Sequence, residues 1–162
     1  MYRSILNFKD TQVAIKQVKD YFQKELAEAL NLMRVTAPLM VVPESGLNDC
    51  LNGTERPVQF DLLETGADVQ IVQSLAKWKR FALGKYGFAP GEGLYTDMNA
   101  IRRDEITDAL HSIYVDQWDW ELVIRKEERT LEMLKRTVCK IYSVIKATET
   151  QIRALYPVLA DG

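Results

Sequence analysis

The stretch His111-Ser-Ile-Tyr-Val-Asp-Gln-Trp-Asp-Trp-Glu121 gathers Asp116, Gln117, Asp119 and Glu121 beside Trp118 and Trp120. A half-buried strand through Ile113 and Val115 runs into this cluster, and a core strand has no packing use for so many polar groups. Asp and Glu are almost never fully buried unless paired, so the cluster should line a wet, specific site. Gln117 and Asp119 are two residues apart and share one face of an extended chain. An acceptor-only carboxylate beside an amide suits an ammonium group together with a neighbouring polar atom.

Other segments carry further candidates. Arg102-Arg-Asp-Glu105 ends one predicted strand and Leu110-His-Ser-Ile-Tyr114 begins the next, so an antiparallel connection brings Arg102, Glu105 and His111 together. The planar, always charged guanidinium suits a phosphate, and His111, the sole histidine, offers a second contact. The same residues also fit an ordinary charged hairpin tip. Ser74-Leu-Ala-Lys-Trp-Lys-Arg-Phe81 places a hydroxyl and three cations in the first turns of a helix. A helix N-terminus favours anions, so cations there imply a carboxylate or phosphate nearby; a solvated basic face over a core of Trp78 and Phe81 is the alternative. Asp49-Cys50 lies in a polar loop of the kind that usually forms only turns, and Cys50 reads as a spectator thiol. Gly91-Glu-Gly93 lacks the further glycine and the Lys-Ser/Thr of a phosphate loop.

The elements that must position these groups follow from periodicity. Thr11 to Leu32 predicts a helix, with Ile15, Val18, Phe22, Leu26, Ala29 and Leu30 on one side and Asp10 or Thr11 as its cap. Pro38 interrupts the next apolar run and suits an extended or edge segment. Glu44 to Glu55 is a loop. Pro57–Leu62 and Asp68–Val72 alternate with period two around Glu64-Thr-Gly-Ala67, which predicts a hairpin. Ser74 is the expected N-cap of a short helix to about Gly84. Gly91–Arg102 is a loop entering a strand, and Leu110–Trp118 is the strand after it. Leu131, Leu134, Val138, Ile141, Ile145, Thr148, Ile152 and Leu155 recur by threes and fours in a final helix of about 36 Å, which Pro157 ends. That stripe fits a core helix, an interface helix or a coiled-coil seam. Helix, strands, helix, strands, helix, with hairpin-like links, predicts α+β with a mostly antiparallel sheet.

Composition bounds the function classes. The chain has 162 residues, 47% of them hydrophobic, and a net charge of −2. One domain over 1–162 is the expectation from this length. The charge argues against a nucleic-acid or anionic-membrane surface, and no apolar run reaches the length of a membrane span. The first ten residues lack the apolar core of a signal peptide. Cys50 and Cys139 have no metal-ligand spacing; reduced thiols in a cytoplasmic protein are expected.

Four strings, Ser74-Leu-Ala-Lys-Trp-Lys-Arg80, Gly91-Glu-Gly-Leu-Tyr-Thr96, Leu110 to Glu121 and Ile145-Lys-Ala-Thr-Glu149, resemble the ammonia-dependent asparagine synthetases, the aspartate–ammonia ligases. The resemblance runs in order along essentially the whole chain. It implies the class II aminoacyl-tRNA synthetase-like fold, an antiparallel sheet flanked by helices. Leu32-x-x-Val-x-x-Pro38-Leu-Met resembles that fold's first motif, at a homodimer interface, and Arg102-x-x-Glu105 takes the place of its second, one residue longer than in many synthetases. The implied reaction activates L-aspartate with ATP and Mg2+ to a β-aspartyl-adenylate, which ammonia converts to L-asparagine. By position, the resemblance implies that Arg102 holds the α-phosphate, with Glu105 and His111 near the nucleotide. Asp119 would take the α-ammonium, Ser74 and Lys79 the rest of the amino-acid backbone, and Gln117 and Asp49 the side-chain carboxyl, Asp49 as the base for ammonium. No residue is assigned to a metal. Against the family pattern the chain stops before the third motif, about halfway through the fold. A fragment of a longer enzyme is the favoured expectation, because every matching site residue is intact. Half of a split enzyme, or a truncated non-catalytic dimerisation or binding module using the Leu131–Leu155 stripe, are the alternatives.

Overall fold

The computed structural model describes residues 4–159. The chain forms two compact units: one built from the chain up to Leu32 and from Ile124 onward, the other Met33–Val123.

The first unit is a helix pair. Helix α1 (Phe8–Leu30) starts at Asn7, whose side chain accepts from the Asp10 amide at 3.0 Å. The cap is thus Asn7, not Asp10 or Thr11: its amide oxygen reaches the free N–H of the first turn, and the helix opens three residues before the expected Thr11. It closes with Asn31 in the left-handed region (φ 54°), a conformation Asn tolerates at this position. Helix α3 (Leu131–Leu155) has the expected bounds and is capped by Thr130 on the Met133 amide. Lys140 Nζ donates to the Ala29 carbonyl at 2.9 Å, satisfying one of the last carbonyls of α1. Tyr156 Oη donates to Gln17 Oε1 at 2.7 Å. The predicted α3 stripe divides. Ile141, Thr148 and Ile152 turn inward with Val144, while Leu131, Leu134, Val138, Ile145 and Leu155 are exposed.

The second unit holds the sheets. Strands β1 (Leu32–Arg34), β5 (Gly93–Ile101) and β6 (Tyr114–Leu122) form one sheet in the order β1-β5-β6; β2 (Met40–Val41), β3 (Gln59–Asp61) and β4 (Asp68–Ile71) form another in the order β2-β4-β3. The β3–β4 hairpin is antiparallel as its turn chemistry predicts, and β2 pairs with the other edge of β4. Helix α2 (Ala76–Lys85) begins after Leu75 rather than Ser74. Ser74 stands one residue too early to cap, and its hydroxyl accepts from the Ala76 amide at 3.2 Å. The core joins Val72, Leu75, Trp78, Ala82 and Leu83 to Leu94, Met98 and Ala100, alternate residues of β5. Helix α2 therefore covers the even-numbered face of that strand.

Strand β6 begins four residues later than predicted. The Leu110 and His111 amides both donate to Asp108 Oδ1 at 2.7 Å, which holds that segment in a turn and out of the ladder. The acid- and tryptophan-rich cluster consequently lies within the strand, paired from Gly93↔Leu122 to Ile101↔Tyr114.

Candidate functional site

The register of β6 sorts its polar residues. Met98 pairs with Gln117, Thr96 with Asp119 and Leu94 with Glu121, so Gln117, Asp119 and Glu121 share the face that α2 covers. Asp116, Trp118 and Trp120 take the other face, opposite Asn99, Asp97 and Tyr95. There Arg34 of β1 reaches Asp97 at 2.9 Å.

On the covered face Lys79 is buried, with only 5% of its side chain exposed. Its ammonium donates to Asp119 Oδ1 at 2.8 Å and to the Trp120 carbonyl at 3.0 Å, and lies 3.7 Å from Glu121. Arg80 approaches Glu121 at 3.6 Å. The cation in the first turn of α2 therefore meets carboxylates, as the sequence implies, and they belong to β6. Asp119 uses one oxygen on Lys79. Its Oδ2 is buried without a hydrogen-bond partner, as is Nε2 of neighbouring Gln117.

A second group stands at the end of β5. Arg102 continues the ladder, its amide donating to the Ile113 carbonyl at 2.7 Å, and its Nε is buried without a partner. It lines a cavity of about 410 Å3 together with Arg103, Asp104, Glu105, Gln73, Leu51, Asn52 and Glu55, within the usual size of small-ligand sites. Met98 and Arg102 are four residues apart on a pleated strand, so Arg102 stands on the same side as Gln117, about 13 Å along the sheet.

The loop of residues 46–56 forms part of this wall. Asn48 pins it to the sheet: its amide donates to Gln70 Oε1 and the Ile71 carbonyl, and its oxygen accepts from the Gln73 amide at 2.9 Å. Leu51 holds a left-handed conformation (φ 50°), costly for a residue with a Cβ and a mark of functional sites. Asp49 is half-buried between them and Cys50 is exposed.

Of the residues singled out from sequence, Lys79, Gln117 and Asp119 come together, and Arg102 and Glu105 share the cavity. His111 is exposed and paired with Asp108, its Nδ1 2.9 Å from the carboxylate. That contact raises the His111 pKa, and the Leu110 and His111 donors lower Asp108 to about 2. Sequence reasoning missed Gln73, Asn52, Glu55 and the Asn48 tether. Only Gln73, next to the basic helix start, carried a signal: a polar residue in an otherwise apolar approach.

The antiparallel sheet with a helix over one face is that of a class II aminoacyl-tRNA synthetase-like fold, as a solved relative shows. An asparaginyl-tRNA synthetase from Entamoeba histolytica has the same fold, with a TM-score of 0.58 over 92% of this chain and 30% of its own, at 15% identity. The family model for aspartate–ammonia ligase matches residues 9–161, and the chain belongs to that family. An aspartate–ammonia ligase of Ruminiclostridium cellulolyticum is 65% identical over 96% of this chain and 47% of its own length. One of Bacillus cereus is 58% identical over 98% and 49%. The chain thus spans about half the length of the curated relatives it matches.

Proposed function

We propose that this chain supplies the amino-acid and α-phosphate contacts of an ATP-dependent aspartate–ammonia ligase. The side-chain carboxylate of L-aspartate attacks the α-phosphorus of ATP, β-aspartyl-adenylate forms and pyrophosphate leaves. Ammonia then attacks the activated carbonyl, releasing AMP and L-asparagine. The observation that carries this reading is the set of buried, unpartnered atoms Arg102 Nε, Gln117 Nε2 and Asp119 Oδ2. Such groups cost about 1–3 kcal/mol each when left unmade, and they mark where ligand atoms belong.

Each atom has a chemical counterpart. Asp119 Oδ2 accepts from the substrate α-ammonium while Lys79 fixes Oδ1. The ammonium of Lys79 has three donors, two already used, and the third, near Glu121 at 3.7 Å, is assigned with the Ser74 hydroxyl to the α-carboxylate. Gln117 Nε2 donates to the side-chain carboxyl, where Asp49 is the base that deprotonates ammonium. Arg102 neutralises charge developing on the α-phosphate. Glu105 and His111 flank the nucleotide. Arg102 in a cavity shared with Arg103 fits a polyphosphate. Mg2+ would accompany the nucleotide and offset the charge of its phosphates. The exposed Met33, Leu39, Met40 and Val42 in the first-motif-like segment support a homodimer, and a cytoplasmic location is proposed with the reaction.

Aspartate-dependent ATP–pyrophosphate exchange tests the reading, followed by asparagine formation with ammonium. Exchange that is lost in Arg102→Ala supports it; a folded chain without exchange sinks adenylation by this chain alone. Asp49→Asn should lose amide formation more than exchange, and equal losses remove it as the base. The second reading, a non-catalytic binding module, draws on the exposed α3 residues and predicts no response to aspartate or ATP.

A further inference from the structure

Two segments wall the Arg102 cavity, and they are joined at one point. Arg56 grips Asp104 across 48 residues of chain with its Nη2 (2.5 Å), its Nε (3.1 and 3.2 Å to the two oxygens) and its backbone N–H (2.8 Å). Ordinary surface ion pairs contribute little, because two mobile side chains must be ordered in water. Here the Arg56 side chain is 65% exposed and that of Asp104 23%, and what sets the pair apart is that one donor is backbone and cannot swing away. The loop that presents Arg56 is internally tied. The Gly53 amide donates to the Cys50 carbonyl at 2.6 Å, and the Asn52 amide and side chain donate to the two Glu55 oxygens at 3.0 Å. A braced loop therefore holds Asp104, two residues from Arg102, whose Nε has no hydrogen bond to fix it.

We propose that the Arg56–Asp104 pair is a latch that sets the Arg102–Glu105 segment against the Leu51–Glu55 loop, making Arg56 a positioning residue for the nucleotide. Only the identity of the ligand rests on the function proposed above; the latch itself is a property of the two loops. Hydrogen bonds from Arg56 hold the Asp104 carboxyl down at about 2, below the usual carboxylate range.

The test uses the 162-residue chain with two readouts, amide hydrogen exchange at Glu105 and Arg56 and ATP affinity by calorimetry. Arg56→Ala should speed Glu105 exchange at least tenfold and weaken ATP about tenfold, roughly the loss of one charge-assisted contact. Asp104→Asn, which keeps the shape, should give a smaller change of the same sign. Arg56→Lys, which keeps the cation and the backbone donor to Asp104, should retain part of both readouts relative to Arg56→Ala, which a merely structural disturbance would not. Unchanged Glu105 exchange in Arg56→Ala overturns the latch. Faster exchange with unaltered ATP affinity overturns the positioning role. If the parent chain does not bind ATP, the nucleotide reading fails while the exchange data still decide the latch.

Discussion

On the sheet of Met33–Val123 complementary polar atoms are buried without partners; along α3 a line of apolar side chains stands in solvent. Arg102, Gln117 and Asp119 each withhold one polar atom from water and from protein. On α3, Leu131, Leu134, Val138 and Ile145 are exposed, from 66% to 49%. The two departures differ in extent. These three polar groups stand on one face of one sheet and are of complementary chemistry, a guanidinium, an amide and a carboxylate. The apolar one runs along a whole helix with no chemical selectivity, the form of a packing surface. Unmet polar atoms at a point specify a ligand; uncovered methyl groups along a line specify only area.

Lys79 offers the hardest test of that contrast. It is buried and compensates Asp119 and Glu121, so Lys79→Ala should cost about 3–5 kcal/mol in urea unfolding, the usual result of orphaning a buried charge. On α3, Leu134→Gln should stay within about 0.5 kcal/mol, since its side chain is already wet. Equal losses would mean that the α3 face is buried in solution and that the contrast is false.

Arg102→Ala comes next. Removal of one transition-state donor should lower ATP–pyrophosphate exchange by about 100-fold, with stability unchanged or raised, because a buried unpartnered N–H is deleted. A marked loss of stability would make Arg102 a structural residue. Thr130→Ala is the matching change in the helix pair: loss of the α3 cap should cost about 1 kcal/mol and leave exchange untouched.

How far the sequence carried this picture depended on the range of the interaction. Helix α3 was legible from Leu131 to Leu155 because its stripe and its stop at Pro157 are local, while its Thr130 cap went unread. The β3–β4 hairpin was legible for the same reason. The start of β6 was not: it is set by Asp108 collecting two amides, a turn no alternation reveals. The outward half of α3 was invisible too, since a stripe of leucines reads alike whether it is covered or bare. In the site, the same-face placement of Gln117 and Asp119 followed from strand period, and the Lys79 contact followed in kind from a cation at a helix start. The Asn48 tether and the Arg56–Asp104 pair join residues 22 to 48 positions apart, and pairing at that distance leaves no periodic trace.

The smallest expected effect concerns His111, foreseen beside the nucleotide and found on Asp108. The side-chain hydrogen bond and the Asp108 charge raise its pKa, with Glu105 adding to the shift. A raised histidine contributes stability that is complete below its unfolded value of about 6.5 and is lost as pH rises through the folded value. Asp108, lowered to about 2, contributes stability that is complete above about 3.9 and lost as pH falls toward 2. The turn that delays β6 should therefore be tightest between about pH 4 and 6.5. As the sole histidine, His111 gives an unambiguous proton resonance, whose titration midpoint should lie above 6.5 and fall back in Asp108→Asn. A midpoint that ignores Asp108 would free His111 from the turn. If ATP shifts that midpoint further, His111 belongs with Arg102 among the groups that meet the ligand; if ATP leaves it fixed, its work is to hold the turn that keeps β6 in register.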